Sequence, residues 1–169
     1  CGAHLLRSAP CVIAYGDIVY HPDHVRALAD SADDIVIAYD TLWMGLWSAR
    51  FEDPLADAET FRQREGWLQA IGDKTDDIAD IDGQYIGLLK FTPRGWDSID
   101  AFLASLSVED RKRVDMTGLL RGLLKVGASI RCIPVHGGWC EVDNGSDVRL
   151  YETLLKPSGS TTWDHDWRW

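Results

Sequence analysis

Positive charge is scarce in this chain: Lys and Arg total 17 of 169 residues against 27 Asp and Glu, a formal net charge of -10. A binder of nucleic acid or of anionic membrane needs a basic face that releases counterions, so neither class fits. A phosphate-bearing substrate stays compatible with the balance provided a metal ion supplies the missing positive charge. Long apolar runs are lacking too. None approaches the roughly 20 residues that span a bilayer, and the opening Cys1-Gly2-Ala3 is no signal peptide. That opening also lacks Met, as in a processed product or a part of a longer polypeptide. The four cysteines, Cys1, Cys11, Cys132 and Cys140, show no C-x-x-C spacing. A chain of this length builds a core without disulfides, which favours free thiols and the cytoplasm, although four cysteines allow three pairings. Repeats and low-complexity linkers are absent. What is present, 46% hydrophobic and 26% charged residues, is the composition of one globular domain.

Alternating elements predict an α/β fold. Cys11-Val12-Ile13-Ala14-Tyr15 is a short apolar run stopped by Gly16, the pattern of a strand buried on both faces. His21-Pro22-Asp23 opens a helix carrying Val25, Leu28 and Ala29 at helical spacing, and a second buried strand runs from Ile35 to Tyr39. Strand, helix and strand in this order predict a βαβ unit whose two strands are parallel neighbours. Further strands are expected at Trp43 to Phe51, Gly66 to Ile71, Gln84 to Phe91 and Ala128 to Val135, with an acidic loop at Asp57 and Glu59. Ser107 and Asp115 are helix N-caps, the latter for a helix with Leu119, Leu120, Leu123 and Leu124 on one stripe and Gly127 at its end. Gly137-Gly138 turns into Trp139 to Asp143, and a closing helix spans Ser146 to Leu155. The tail past Pro157-Ser158-Gly159, with Trp163, Trp167 and Trp169 around Asp164, His165 and Asp166, reads as irregular and able to dock on its own domain or on a partner.

In open α/β sheets ligands sit at the carboxyl ends of the strands. Asp17 and Asp40 end two predicted strands, and Asp143 follows the last core strand. Carboxylate oxygens without His or thiolate suit Mg2+ better than zinc. Strand-end aspartates also cap turns, and spacing leaves both readings open. His4, His21, His24 and His136 form no ligand pattern.

The string Tyr15-Gly16-Asp17-Ile18-Val19-Tyr20 resembles the "YGDI" segment of nucleotidyltransferases with the nucleotide-diphospho-sugar transferase fold, closest to cytidylyltransferases of phosphocholine and aminoethylphosphonate type. The resemblance continues through Asp40-Thr41-Leu42-Trp43, Trp47 with Arg50, Asp57-Ala58-Glu59, Ile71-Gly72-Asp73-Lys74 and Gly83 to Leu88. It then passes through Asp115-Met116-Thr117 and Trp139 to Asp143, covering most of residues 11–155. It implies a mixed, mainly parallel Rossmann-like sheet. It implies Asp17 and Asp143 as the aspartates holding catalytic Mg2+, and Lys74 as the contact to the acceptor's phosphoryl group. Lys74 beside Asp76 and Asp77 also reads as a solvated lysine. Asp40, Trp43, Trp47, Arg50, Asp57, Glu59, Tyr85 and Trp139 fall in the matched segments as substrate-binding candidates. Tryptophan faces attract ammonium groups, while the same tryptophans also serve as core filling.

The expected activity is transfer of a nucleotidyl group, CMP from CTP, to a small amino- or choline-bearing phosphate or phosphonate, with release of pyrophosphate. A sugar-1-phosphate acceptor is the alternative within enzymes, and a catalytically incomplete ligand- or partner-binding domain is the alternative outside them. Two departures stand out. Gln84 replaces the family's usual Glu, and the glycine-rich loop and basic stretch that the family places ahead of the "YGDI" strand do not occur in the sequence. The resemblance therefore implies an N-terminally incomplete sheet: residues 1–157 as a partial nucleotidyltransferase domain, 158–169 as a Trp-rich tail, and a missing segment or partner chain to supply the phosphate loop.

Overall fold

A computed structural model describes residues 2–155 and 163–168. A short helix α1 (Ala3–Ser8) precedes β1 (Cys11–Ala14), β2 (Ile18–Tyr20), α2 (Pro22–Asp30), β3 (Ile35–Asp40), α3 (Trp43–Arg50), α4 (Pro54–Asp57), β4 (Phe61–Arg64) and β5 (Trp67–Ile71). A 3-10 turn at Ile78–Asp80 leads into β6 (Gln84–Phe91), followed by α5 (Pro93–Ser105), α6 (Val108–Arg113), α7 (Met116–Lys125), β7 (Arg131–Val135), β8 (Trp139–Glu141) and α8 (Gly145–Leu154). Among the described residues the strands form a six-stranded sheet, ordered β1-β6-β3-β7-β5-β4, and a two-stranded ribbon of β2 and β8.

The centre of the sheet is β3, every residue of which is buried. Its side chains divide with period two. Val36 and Ala38 join Leu28, Trp43, Leu46, Trp47, Trp139 and Tyr151 on one face, and Ile35, Ile37 and Tyr39 join Ile99, Leu119, Leu120 and Leu123 on the other. Helices cover both faces, which explains why β3 and β6 read as continuous apolar runs rather than alternating ones. The predicted caps are in place: Ser107 and Asp115 each accept a hydrogen bond from a backbone N–H of the helix they start, as does His21 for α2, and Gly127 takes φ +84° just past α7.

The α/β class stands, but the expected parallel majority does not. Of the ladders in the larger sheet only β3–β7 is parallel; β1–β6, β3–β6, β4–β5 and β5–β7 are antiparallel. The expected βαβ neighbours are separated, because β6 inserts between β1 and β3 and pairs with both through the same residues, Leu89, Lys90 and Phe91. Local pattern cannot reveal a strand that arrives some fifty residues later. The expected strand at Trp43 to Phe51 is helix α3, in which Trp43, Leu46 and Trp47 bury one face at i, i+3 and i+4. Farther along, Trp163 to Trp167 packs on the domain: Trp163 and Trp167 meet Tyr151, and His165 is 1% exposed.

Candidate active site

Where β1 ends and β6 begins, a cavity of ≈ 290 Å³ opens. Its walls come from distant segments: Tyr15 after β1, Trp47 from α3, Asp57 and Glu59 around the end of α4, Lys74 after β5, Gln84 and Tyr85 opening β6, Thr117 in the first turn of α7, and Glu141 and Asp143 at and beyond the end of β8. Six of the sequence candidates therefore converge: Trp47, Asp57, Glu59, Lys74, Tyr85 and Asp143.

Each is held by identifiable contacts. The Trp47 indole N–H donates to Asp57 Oδ2 at 3.1 Å, fixing that carboxylate in the wall. Lys74 Nζ donates to the carbonyls of Asp57 (2.8 Å) and Ala56 (3.4 Å), so a third N–H is left for a ligand oxygen among the described residues. Gln84 is buried and brackets Glu59, its Nε2 donating to the Glu59 carbonyl at 2.7 Å and its Oε1 accepting from the Glu59 N–H at 3.5 Å. At this position Gln serves as a clamp with both donor and acceptor, which an ionised Glu could not reproduce. Gly72 at φ +86° lets the backbone pass close to Thr117, where a Cβ would lie 2.1 Å from the Thr117 methyl.

The electrostatics concentrate negative charge. Four of the lining side chains are carboxylates. Burial raises the Glu59 pKa, opposed by the nearby Lys74 charge and reinforced by Asp115 and Asp57. Burial also raises that of Glu141, opposed by its hydrogen bond from Arg50 and reinforced by Asp143 and Asp17. The Tyr85 hydroxyl is pushed up by burial, with Tyr15 adding to the effect from an edge-on ring 5.9 Å away.

Arg50 lies behind this wall. Its guanidinium side chain is 1% exposed and donates to Glu141 (3.0 Å), Asp143 (2.5 Å) and Asp147 (3.2 Å). Burial works against the charge, but the bonds to Asp147, Glu141 and Asp143 more than compensate, so it is held protonated. Arg50 is thus a brace for the acidic wall rather than a lining residue.

Asp17 does not line the cavity, but its carbonyl accepts the Val142 N–H at 2.8 Å, which sets it one residue from Asp143 across the chain. Asp17 and Asp143 are exposed and together act on Glu141. Among the described residues no three His, Cys, Asp or Glu are placed to hold a metal. In donor chemistry alone, the carboxylates of Asp17 and Asp143 are of the kind Mg2+ takes, one or two at a time with water and substrate oxygens in its other positions.

Three candidates are placed elsewhere. Asp40 is fully buried and accepts four hydrogen bonds, from the N–H groups of Leu42 (2.8 Å) and Gly137 (2.9 Å), from Trp139 Nε1 (2.9 Å) and from His165 Nε2 (2.9 Å). It is a capping and core carboxylate, the second of the readings its spacing allowed. Trp43 and Trp139 fill the core and do not line the cavity. Sequence reasoning assigned no role to Glu141, Tyr15 or Thr117. The signal for Glu141 was available, since it precedes Asp143 by two residues in an extended segment and so shares its face.

No family model matches the chain. It is 34% identical over 145 residues to the CTP:phosphoglutamine cytidylyltransferase of Campylobacter jejuni, an alignment covering 82% of this chain and 57% of that protein. Among solved structures it is similar to a protein assigned as a glucose-1-phosphate thymidylyltransferase of Bacillus anthracis (TM-score 0.64, 11% identity, 92% of this chain and 58% of that one). It is also similar to the inositol-1-phosphate CTP transferase of T. maritima (TM-score 0.61, 14% identity, 92% and 60%). The chain therefore spans less than two thirds of the length of each of these proteins. It has the nucleotide-diphospho-sugar transferase fold, and the resemblance to cytidylyltransferases carried by its motifs is matched over most of its length.

Proposed function

We propose that this chain forms the acceptor-binding part of a Mg2+-dependent cytidylyltransferase that joins CMP from CTP to a small, nitrogen-bearing phosphate or phosphonate. The observation that carries the reading is the convergence of Lys74, Asp57, Glu59, Glu141 and Asp143 in one cavity, drawn from segments that each resemble the same enzymes. Asp17 and Asp143 would hold the metal, which when bound supplies positive charge to the reacting phosphate oxygens. Lys74 offers its remaining N–H to the acceptor's phosphoryl oxygen, and Gln84 and Trp47 keep Glu59 and Asp57 in place beside it.

Four carboxylates against one lysine favour an acceptor that brings its own positive or N–H-rich end. Glu59, whose charged form burial disfavours, gains from such a partner. With Trp43 and Trp139 in the core, Trp47 is the tryptophan left on the wall. That supports a primary ammonium or amide that hydrogen-bonds to carboxylates over a trimethylammonium group in an aromatic cage. A triphosphate needs several cationic or N–H donors, and residues 1–169 contain no glycine-rich loop to provide them. These come from a segment outside them or from a partner chain.

Pyrophosphate release from CTP and Mg2+ tests the proposal, measured over a panel of phosphorylated amines, amides and sugars. The chain is assayed alone and with the N-terminal segment of a relative supplied in cis or in trans. Turnover with a nitrogen-bearing acceptor, dependent on that segment, is expected. Turnover with sugar phosphates only, or none with any acceptor in the completed protein, would overturn it.

A further inference from the structure

The Asp40 cluster takes no part in the chemistry just described, yet it connects the acidic wall to the far end of the chain. Resting on the reading of that cavity as an acceptor and metal site, we infer that residues 163–167 are a positioning element for Glu141 and Asp143, with His165 as its pin.

The wall needs such support. Strand β8 has three residues and, among the described residues, pairs only with the three residues of β2, a ribbon too small to hold its own place. Its position is set from behind. The Asp40 carboxylate takes the N–H of Gly137 and the indole N–H of Trp139, which fixes the turn into β8 and its first residue. The remaining side-chain donor to Asp40 is His165, 125 positions away in sequence. The same segment then follows β8 step by step. The Asp164 carbonyl accepts the Gly138 N–H at 2.7 Å, and the His165 carbonyl accepts from Cys140 Sγ at 3.6 Å. Trp163 and Trp167 pack on Tyr151, whose hydroxyl donates to the Glu141 carbonyl at 2.6 Å. Each residue from Gly138 to Glu141 is therefore tied to the segment directly or through one side chain. Burying the His165 ring leaves Nδ1 without a partner among the described residues, a cost that the bond to Asp40 and the packing of Trp163 must offset. Gly137 belongs to the same device: at φ +68° it brings the chain so close that a Cβ would lie 2.1 Å from the Asp164 carbonyl oxygen.

The test compares His165→Ala, which removes the pin, with His165→Gln, whose side-chain amide can again donate to Asp40. Ile99→Val, in the opposite core, serves as a control that loses stability without touching the wall. Amide and indole NMR spectra of the 169-residue chain are read together with Mn2+ affinity, Mn2+ standing in for Mg2+. His165→Ala is expected to shift the amides of Glu141, Val142 and Asp143 and the indole of Trp47, and to weaken Mn2+ binding at least threefold. His165→Gln should return both toward wild type, and Ile99→Val should change neither. If His165→Ala does not fold, His165→Asn, too short to reach Asp40, takes its place. A folded variant lacking the pin whose wall resonances match wild type overturns the inference. Absence of Mn2+ binding by the wild type would instead count against the metal reading, and the resonances alone then decide the role of His165.

Discussion

Arg50→Ala is the substitution whose cost can be worked most closely from contacts. It removes a guanidinium that is 1% exposed and leaves three carboxylates without their cation. Asp147, 7% exposed, cannot recover solvent, whereas Glu141 and Asp143, at 26% and 49%, recover part of it. Breaking a fully buried pair costs about 3–5 kcal/mol, so about 3 kcal/mol is expected here. The stacking of the guanidinium on Phe51 at 5.0 Å adds a smaller share, roughly 0.5–1 kcal/mol. The pH dependence gives the sharper test. Burial alone would raise the pKa of Asp147, but Arg50 and the N–H groups of Asn144 and Asp143 bring it below the ordinary value. In wild type this carboxylate stabilises the fold above its unfolded pKa, and that contribution is lost as pH falls through the folded one. Without Arg50 the burial effect dominates and the charged form becomes a liability, so the deficit of the variant should be largest near neutral pH and shrink below about pH 4. Urea unfolding followed by tryptophan fluorescence at pH 7 and pH 3 measures both quantities. A variant as stable as wild type at pH 7, or one with the same deficit at both pH values, would refute this account of the wall.

Other outcomes follow from the same contacts. Trp139→Phe keeps most of the buried ring but loses a hydrogen bond to the ionised Asp40, and should lower unfolding free energy by about 1.5–3 kcal/mol in urea titration. Gly137→Ala forces a Cβ against the Asp164 backbone from a left-handed position and should expose the tryptophans of the C-terminal segment, seen as a red shift of native fluorescence. Native-state titration with a thiol reagent should find Cys11 reactive. Cys132, which burial pushes up to about 12, and Cys140, fully buried and also pushed up, should react only on unfolding.

Buried strands were legible in the sequence because apolar runs such as Ile35 to Tyr39 and Gln84 to Phe91 are long and bounded by turn residues. The caps at Ser107 and Asp115 were legible because they act over three residues. The order of strands was not, since the insertion of β6 between β1 and β3 depends on contacts remote in sequence. Helix α3 was misread because Leu42-Trp43-Met44 looks like a strand, although Trp43, Leu46, Trp47 and Arg50 carry helical spacing. At the site, Lys74, Asp57, Glu59, Tyr85 and Asp143, all picked out by motif order, line one cavity. Motif order could not separate lining residues from those behind them: Arg50 braces, Asp40 caps, and Trp43 and Trp139 fill the core. Free thiols at Cys11, Cys132 and Cys140 agree with the expectation from spacing, while Cys1 and residues 156–162 and 169, including part of the predicted tail, lie outside the described residues. Among the described residues no helix is long and apolar enough to cross a membrane.

The most direct test of the central claim is calorimetric titration of the chain, in Mg2+, with phosphoethanolamine and with glycerol 3-phosphate, repeated on Lys74→Ala. Phosphoethanolamine should bind more tightly than the neutral-ended phosphate, because its ammonium meets the carboxylates. Loss of the Lys74 contact should weaken binding by about 1.5–3 kcal/mol, a factor of roughly ten or more, with unfolding stability unchanged. Equal affinity for the two phosphates, or binding indifferent to Lys74, would contradict the claim that this cavity receives the acceptor.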